Sequence, residues 1–303
     1  MTHVAFVGLG SMGLPMATNL LAKEFTVTGY DLSASALDAL ESAGGNRAGT
    51  AAEAASGADI LILMVVNAAQ AEAVLYGGGA LDALRPDGTV VLMATCPPAA
   101  VEKIAERVRD SGRQLIDAPV SGGVAGAKAA TLTIMAAGPR DTFEAMRPVF
   151  EALGDKVFHV GDQPGQGAIV KTVNQLLCGV HLAVVAEAFA LAAKVGVDLQ
   201  ILLEIMSRSS ASSWMLNDRG PRMLEAAPEV TSAVDIFVKD LGIVLDAGRD
   251  TKAALPLAAA AHQMFLAASG RGDGTADDSQ VIRSYFALNG VAIQPEPPNQ
   301  KVD

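Results

Sequence analysis

Short β-rich runs alternate with stretches of helical period through the first half of this 303-residue chain. Val4–Val7 (VAFV), Thr26–Tyr30, Ile60–Val66 (ILILMVV), Val90–Leu92, Leu115–Ile116, Leu132–Met135 and Val157–Val160 read as strands. Between them, Pro15–Lys23, Ala34–Ser42, the region of Gln70–Leu75, Ala99–Ser111 and Asp141–Leu153 read as helices. Apolar strands separated by helices at this spacing predict βαβ units in a parallel sheet. The pattern then changes. From Gln166 to about Val195 the chain is nearly continuous in Ala, Leu and Val, broken by Lys171, Asn174, Gln175, His181 and Glu187. A helix apolar on nearly every side is expected to lie buried among other helices. Leu199–Met206, Trp214–Leu224, Phe237–Gly248 and Leu257–Ala268 also read as helices, and the Pro-rich tail from Pro295 is expected to be loose. The expected fold is α/β: a parallel-sheet domain over residues 1–163 and an all-α domain over 164–303, joined by a long buried helix. The boundary falls in the cluster GDQPGQG that starts at Gly161.

Composition narrows the chemistry. A net charge of −11, with no basic run, argues against nucleic acid as a partner, because phosphate binding needs clustered cations. An anionic ligand must then be held by local groups. Two cysteines, Cys96 and Cys178, form no CxxC pair and suit a reducing compartment. A strand starting at Val4 leaves no room for a cleavable leader. Between Leu176 and Ala186 the chain is apolar but for His181, a run too short to span a bilayer. A cytoplasmic protein without membrane contact is expected. No HExxH, CxxC or clustered His/Cys/Asp suggests a metal.

Chemistry enters at the first turn. Gly8-Leu9-Gly10-Ser11-Met12-Gly13 follows the first strand directly and opens a helix. Gly8 allows a tight turn, Gly10 lets the backbone approach a pyrophosphate, and Gly13 permits close helix–strand packing, as in a Rossmann-type dinucleotide site. Asp31 ends the second strand, where a carboxylate accepts hydrogen bonds from the adenosine ribose. A 2′-phosphate there would meet like charge, at about 4 kcal/mol for charges ~4 Å apart, so NAD is the expected cofactor. The same glycines could serve a plain turn, and Asp31 a helix cap. A second loop, Ser121-Gly122-Gly123, offers consecutive N–H groups and a hydroxyl to an anion, although a turn with positive φ reads the same. Lys171 sits in GQGAIVK with Asn174 one turn later on the same helix face. A helix this apolar gains no packing from a lysine, and a desolvated lysine is suited to proton transfer near neutrality. The alternative is a lysine snorkelling from the first turn. Phe237-Val238-Lys239-Asp240 is expected to open a later helix, where Lys239 could reach the cofactor and Asp240 could cap the helix or complement its dipole, the structural reading being favoured.

The segments GLGSMGLPMATNL, DAPVSGGVAGA, GQGAIVKTVNQ and FVKDLGIVLDAG occur in an order and spacing that resembles the β-hydroxyacid dehydrogenase family, across nearly the whole chain. That family includes 3-hydroxyisobutyrate dehydrogenases and tartronate semialdehyde reductases. The resemblance implies that Lys171 is the acid/base and that Asn174 orients the substrate. It implies that Ser121, Gly122 and Gly123 hold the substrate carboxylate, that Thr95 and Lys239 lie along the nicotinamide, and that Val65 and Val66 line the adenine–ribose side. MVVNAAQ, SSWMLNDRGPRML and SAVDIFVKDLGIVLD are similar to the branch that oxidises L-threonate beside its carboxylate with NAD. Two departures stand out. Ala94-Thr95-Cys96-Pro97-Pro98 lacks a serine usual near the nicotinamide, and Ala130 stands where glycine is common. The run Asp273-Gly274-Thr275-Ala276-Asp277-Asp278 reads as a loop and helix cap, and by resemblance as close to substrate. A dinucleotide-binding module without chemistry is the competing class, and a homodimer or homotetramer built by the second domain is expected from the apolar helix.

Overall fold

The computed structural model describes residues 1–292, so the tail from Pro295 lies outside the described residues. The chain forms two compact units, Met1–Lys171 and the part from Thr172 onward.

The first unit runs β1 (His3–Val7), α1 (Gly13–Ala22), β2 (Thr26–Tyr30), α2 (Ala34–Ser42), β3 (Asn46–Arg47), α3 (Ala51–Ala55), β4 (Ile60–Leu63), α4 (Ala68–Glu72) and α5 (Ala80–Ala83). It continues with β5 (Thr89–Leu92), α6 (Pro98–Asp110), β6 (Gln114–Asp117), β7 (Val120–Ser121), α7 (Gly123–Ala129), β8 (Thr133–Ala137), α8 (Arg140–Leu153) and β9 (Lys156–Gly161). The strands form one sheet in the order β3-β2-β1-β4-β5-β6-β8-β7, with β9 beside β8. Both faces are covered, which is why the middles of the central strands carry apolar residues on both sides. Val4, Phe6, Ile62, Val91 and Ile116 pack on one face, and Ala5, Val7, Leu61, Leu63, Val90, Leu92 and Leu115 on the other. Chain order reverses between β1 and β4, the crevice where such sheets bind ligands. Val7 pairs with Tyr30 and Leu63, Leu63 with Leu92, and Leu92 with Asp117, so five connections leave from one edge.

The sheet is parallel from β3 to β6, as expected, and departs from that only at one end. β8 pairs antiparallel with β6 and β7, because Val120–Ser121 folds back onto Thr133–Ile134 instead of crossing over.

In the second unit, α9 (Gln166–Lys194), which begins inside the first, is followed by α10 (Leu199–Ser207), α11 (Trp214–Met223), α12 (Val234–Thr251), α13 (Pro256–Ala268) and α14 (Ile282–Asn289). Leu182, Phe189, Met215, Phe237, Leu241 and Phe265 form its core. The two compact units divide between Lys171 and Thr172, because the first turn of α9 is bonded to β6. By length and hydropathy α9 could cross a membrane, yet Leu182, Ala186, Phe189 and Ala190 make it a core helix. Neither is it buried all round. Val173, Leu177, Val184, Leu191 and Val195 are 49–67% exposed, since among the described residues the other helices cover only one side. One further expectation changes. Asp240 cannot cap α12, which starts at Val234 and places it in the second turn. In the acidic run, Asp277 caps the helical turn that follows, accepting from Ser279 N at 3.2 Å, as expected, and Asp277 and Asp278 are buried in ion pairs with Arg222 (2.9 Å) and Arg219 (2.8 Å).

Ala130 ends α7 at φ 56°, ψ 38°, a left-handed conformation that costs an L side chain about 1–2 kcal/mol. This accounts for glycine being common there. Ala130→Gly is therefore expected to raise unfolding stability by about 1 kcal/mol in urea titrations. An unchanged or lower midpoint would mean that the strain is relieved elsewhere.

Candidate active site

The turn after β1 is built by close approach. Gly8 has φ +95°, and a Cβ on it would overlap the Met64 carbonyl, while one on Gly13 would overlap the Gly8 carbonyl. Gly10 is different, because a Cβ there meets nothing within 4 Å. The turn is thus closed beneath and open above Gly10, as a pyrophosphate cradle requires. Met12 precedes α1 without a side-chain cap, so no side chain competes for the first-turn donors. Leu9 is buried beneath, and Ser11 is exposed.

Asp31 ties this turn to its surroundings. One carboxylate oxygen accepts from Leu9 N at 2.7 Å and the other from Ser33 N at 2.8 Å. The carboxylate is held beside the glycine turn with its remaining lone pairs open to a ribose. Leu32, beside it, is exposed and carries no charge for a phosphate. Val65 and Val66 follow β4 and Thr95 follows β5 along the same edge; Gln70 Oε1 holds Val66 N at 2.9 Å. These residues fit a bound dinucleotide.

The second cluster grows from β6. Asp117 is fully buried, and its Oδ2 accepts from Gly165 N at 3.0 Å and Ala168 N at 2.8 Å. It therefore caps α9 from another strand. A Cβ on Gly167 would come within 2.5 Å of Met135 O and 3.0 Å of Asp117 Oδ2, which explains the glycine. Burial pushes the Asp117 carboxyl up to about 7, against the N–H groups of Ala168, Gly165 and Gly167, which favour its charged form. Three residues beyond Asp117, the Val120 carbonyl accepts from Lys171 Nζ at 2.6 Å. Lys171 is 7% exposed, so its ammonium is kept in place rather than snorkelling. Ser121, Gly122 and Gly123 come next, half-buried, the two glycines with φ of +130° and +60°. The first unit thus brings Lys171 beside the loop at Ser121–Gly123.

Asn174 and Lys239 lie in the second unit. Asn174 Nδ2 donates to Gln175 Oε1 at 2.8 Å, and Gln175 Nε2 donates to Asp240 Oδ2 at 2.5 Å. Asp240 in turn pairs with Lys239 Nζ at 2.8 Å. With its amide hydrogens directed at Gln175 and Cys178, Asn174 has its oxygen to offer. Sequence reasoning gave no role to Asp117 or Gln175. The only signals were a carboxylate ending an apolar strand and a polar residue repeated on an apolar helix.

Two families match this chain. One is described as the NAD-binding domain of 6-phosphogluconate dehydrogenase and covers residues 3–161. The other is described as NAD-binding of NADP-dependent 3-hydroxyisobutyrate dehydrogenase and covers residues 165–285. The chain is 43% identical to L-threonate dehydrogenase of Cupriavidus necator, over 93% of its length and 96% of the relative's. It is 40% identical to L-threonate dehydrogenase of Escherichia coli K12, over 94% and 95%. A crystal structure of 3-hydroxyisobutyrate dehydrogenase from Salmonella typhimurium superposes with a TM-score of 0.89 at 39% identity, covering 93% of this chain and 99% of that one.

The Asp31 geometry generates a cofactor prediction. NAD is expected to exceed NADP by about 100-fold in kcat/KM, some 2.7 kcal/mol. Asp31→Ser should erode the ratio, and equal wild-type rates with the two cofactors would show that the carboxylate does not meet the 2′ position.

Proposed function

The chain belongs to the 3-hydroxyisobutyrate dehydrogenase-related family of hydroxyacid dehydrogenases, and from that premise we propose that it oxidises L-threonate to 2-dehydro-L-erythronate with Lys171 as the acid/base. It is an NAD-binding dehydrogenase of the branch that its threonate relatives represent. The observation that carries the mechanistic reading is the buried Lys171 ammonium held on the Val120 carbonyl, one residue before the loop at Ser121–Gly123.

Bound NAD supplies the hydride acceptor. The protein's own groups do the rest. Ser121 and the N–H groups of Gly122 and Gly123 bind the substrate carboxylate, which the net charge of −11 would otherwise repel. The amine form of Lys171 takes the hydroxyl proton as the C–H bond gives up its hydride, leaving a ketone and an ammonium. In reverse, the ammonium returns that proton. Asn174 offers its amide oxygen to a substrate hydroxyl, and Lys239 supports the nicotinamide side.

The similarity to a structure named as a 3-hydroxyisobutyrate dehydrogenase favours a second reading, in which 3-hydroxyisobutyrate or tartronate semialdehyde is the substrate. A panel of four-carbon sugar acids and 3-hydroxy acids, followed by reduced-nicotinamide absorbance, decides between them. L-Threonate is expected to give the highest kcat/KM. Lys171→Ala should lower kcat by about 10²- to 10⁴-fold while NAD affinity stays unchanged. Wild-type turnover in that variant would favour a binding module or another base.

A homodimer or homotetramer in the cytoplasm completes the proposal. Val170, Leu177, Val184 and Leu191 recur every seven residues on the exposed side of α9, a stripe suited to a second copy. Light scattering is expected to give at least twice the single-chain mass, and Val184→Glu should lower it. A monomer at micromolar concentration would contradict the stripe's role.

A further inference from the structure

Both ends of one four-residue segment grip the start of α9. At its first residue, Asp117 Oδ2 accepts from Gly165 N and Ala168 N. At its last, the Val120 carbonyl accepts from Lys171 Nζ. The segment is anchored in turn, since Ala118 N donates to Leu92 O and Asp117 pairs with Leu92 and Ala137 in the sheet. Ala168 and Lys171 are three apart on one helix face, so whatever sets the position of the first fixes the reach of the second. Gly167, whose Cβ would strike Met135 O and Asp117, removes the bulk that would push the helix away.

The price of this arrangement is a carboxyl sealed from the surface. Asp117 is 0% exposed, and its second oxygen, Oδ1, is buried without a hydrogen-bond partner. Its sheet neighbours Leu92 and Ala137 are apolar, and the first charged side chain along α9 is Lys171 itself. A capping interaction alone does not need such burial, because the helix starts in this chain that are capped by Ser33, Thr50 and Asn67 use exposed or half-buried side chains. The cost is accepted here at the one helix whose second turn carries the acid/base.

We propose that Asp117 is a positioning residue for Lys171, holding the first turn of α9 so that the ammonium stays on the Val120 carbonyl beside the loop at Ser121–Gly123. The proposal rests on the acid/base reading of Lys171. It makes no use of the charge of Asp117, only of an acceptor at that point. A displacement of the helix start by about 1 Å is enough to cost on the order of 10²-fold in rate.

The test compares wild type, Asp117→Ala, Asp117→Asn, Lys171→Ala and the Asp117→Ala/Lys171→Ala double variant in steady state with NAD and the best hydroxy acid. Asp117→Ala is expected to lower kcat by about 10- to 100-fold and to displace the kcat–pH profile, with NAD affinity unchanged. Asp117→Asn keeps the acceptor and should stay within about threefold of wild type. In the Lys171→Ala background, Asp117→Ala should cost nothing further, because the two act as one unit. If the alanine variant does not fold, Asp117→Ser takes its place and should fall between alanine and wild type. Wild-type kcat in Asp117→Ala or Asp117→Ser, a full additional loss in the double variant, or an Asp117→Asn as slow as alanine would each overturn the proposal. A Lys171→Ala enzyme with wild-type turnover would instead overturn the acid/base reading beneath it.

Discussion

Keeping an ammonium inside an apolar helix is the constraint on which the proposed chemistry depends. Lys171 is buried in a stretch of Ala, Ile and Val, and an unpaired cation there would cost several kcal/mol. The Val120 carbonyl meets it, and Asp117 holds the helix turn that delivers it. Asp117 ends β6, the last of the parallel strands whose ends align along one edge of the sheet, and Val120 follows three residues later at the start of β7. The glycine turn after β1, Asp31 after β2, Val65 and Val66 after β4 and Thr95 after β5 occupy that same edge. One alignment of strand ends therefore places the dinucleotide cradle and the lysine's acceptor on a common frame.

Much of that frame is legible in the sequence because it is written in local patterns. A strand buried on both faces is apolar on both sides through its middle, and a glycine forced by close approach cannot be replaced. Val4–Val7 followed by Gly8, Gly10 and Gly13 carries both signals within ten residues. The antiparallel return of β8 was not legible, because two residues of β7 decide it and they resemble any loop. Asp117 was harder still. Its partners lie about 50 residues downstream, and nothing in DAPVSGG distinguishes a buried helix cap from a strand-end carboxylate. Ala130 shows the opposite case, a departure visible in the sequence whose meaning, a left-handed backbone, appears only in the fold.

Hydropathy overstated how far α9 is buried. Its composition is nearly uniform, yet Leu182, Ala186 and Phe189 are in the core while Leu177, Val184 and Leu191 are exposed. Composition records that a residue is apolar and not what covers it. The same limit applies to substrate choice. The relatives' names divide between threonate and 3-hydroxyisobutyrate.

The central claim is that the Lys171 nitrogen exchanges the proton of the hydroxyl being oxidised. A crystal structure of the ternary complex with NAD and a slowly reacting hydroxy acid tests this most directly. The account predicts Lys171 Nζ at about 2.6–3.2 Å from that hydroxyl oxygen, with the acid's carboxylate on the loop at Ser121–Gly123. A hydroxyl bound by another titratable group, with Lys171 directed only at Val120, would contradict it.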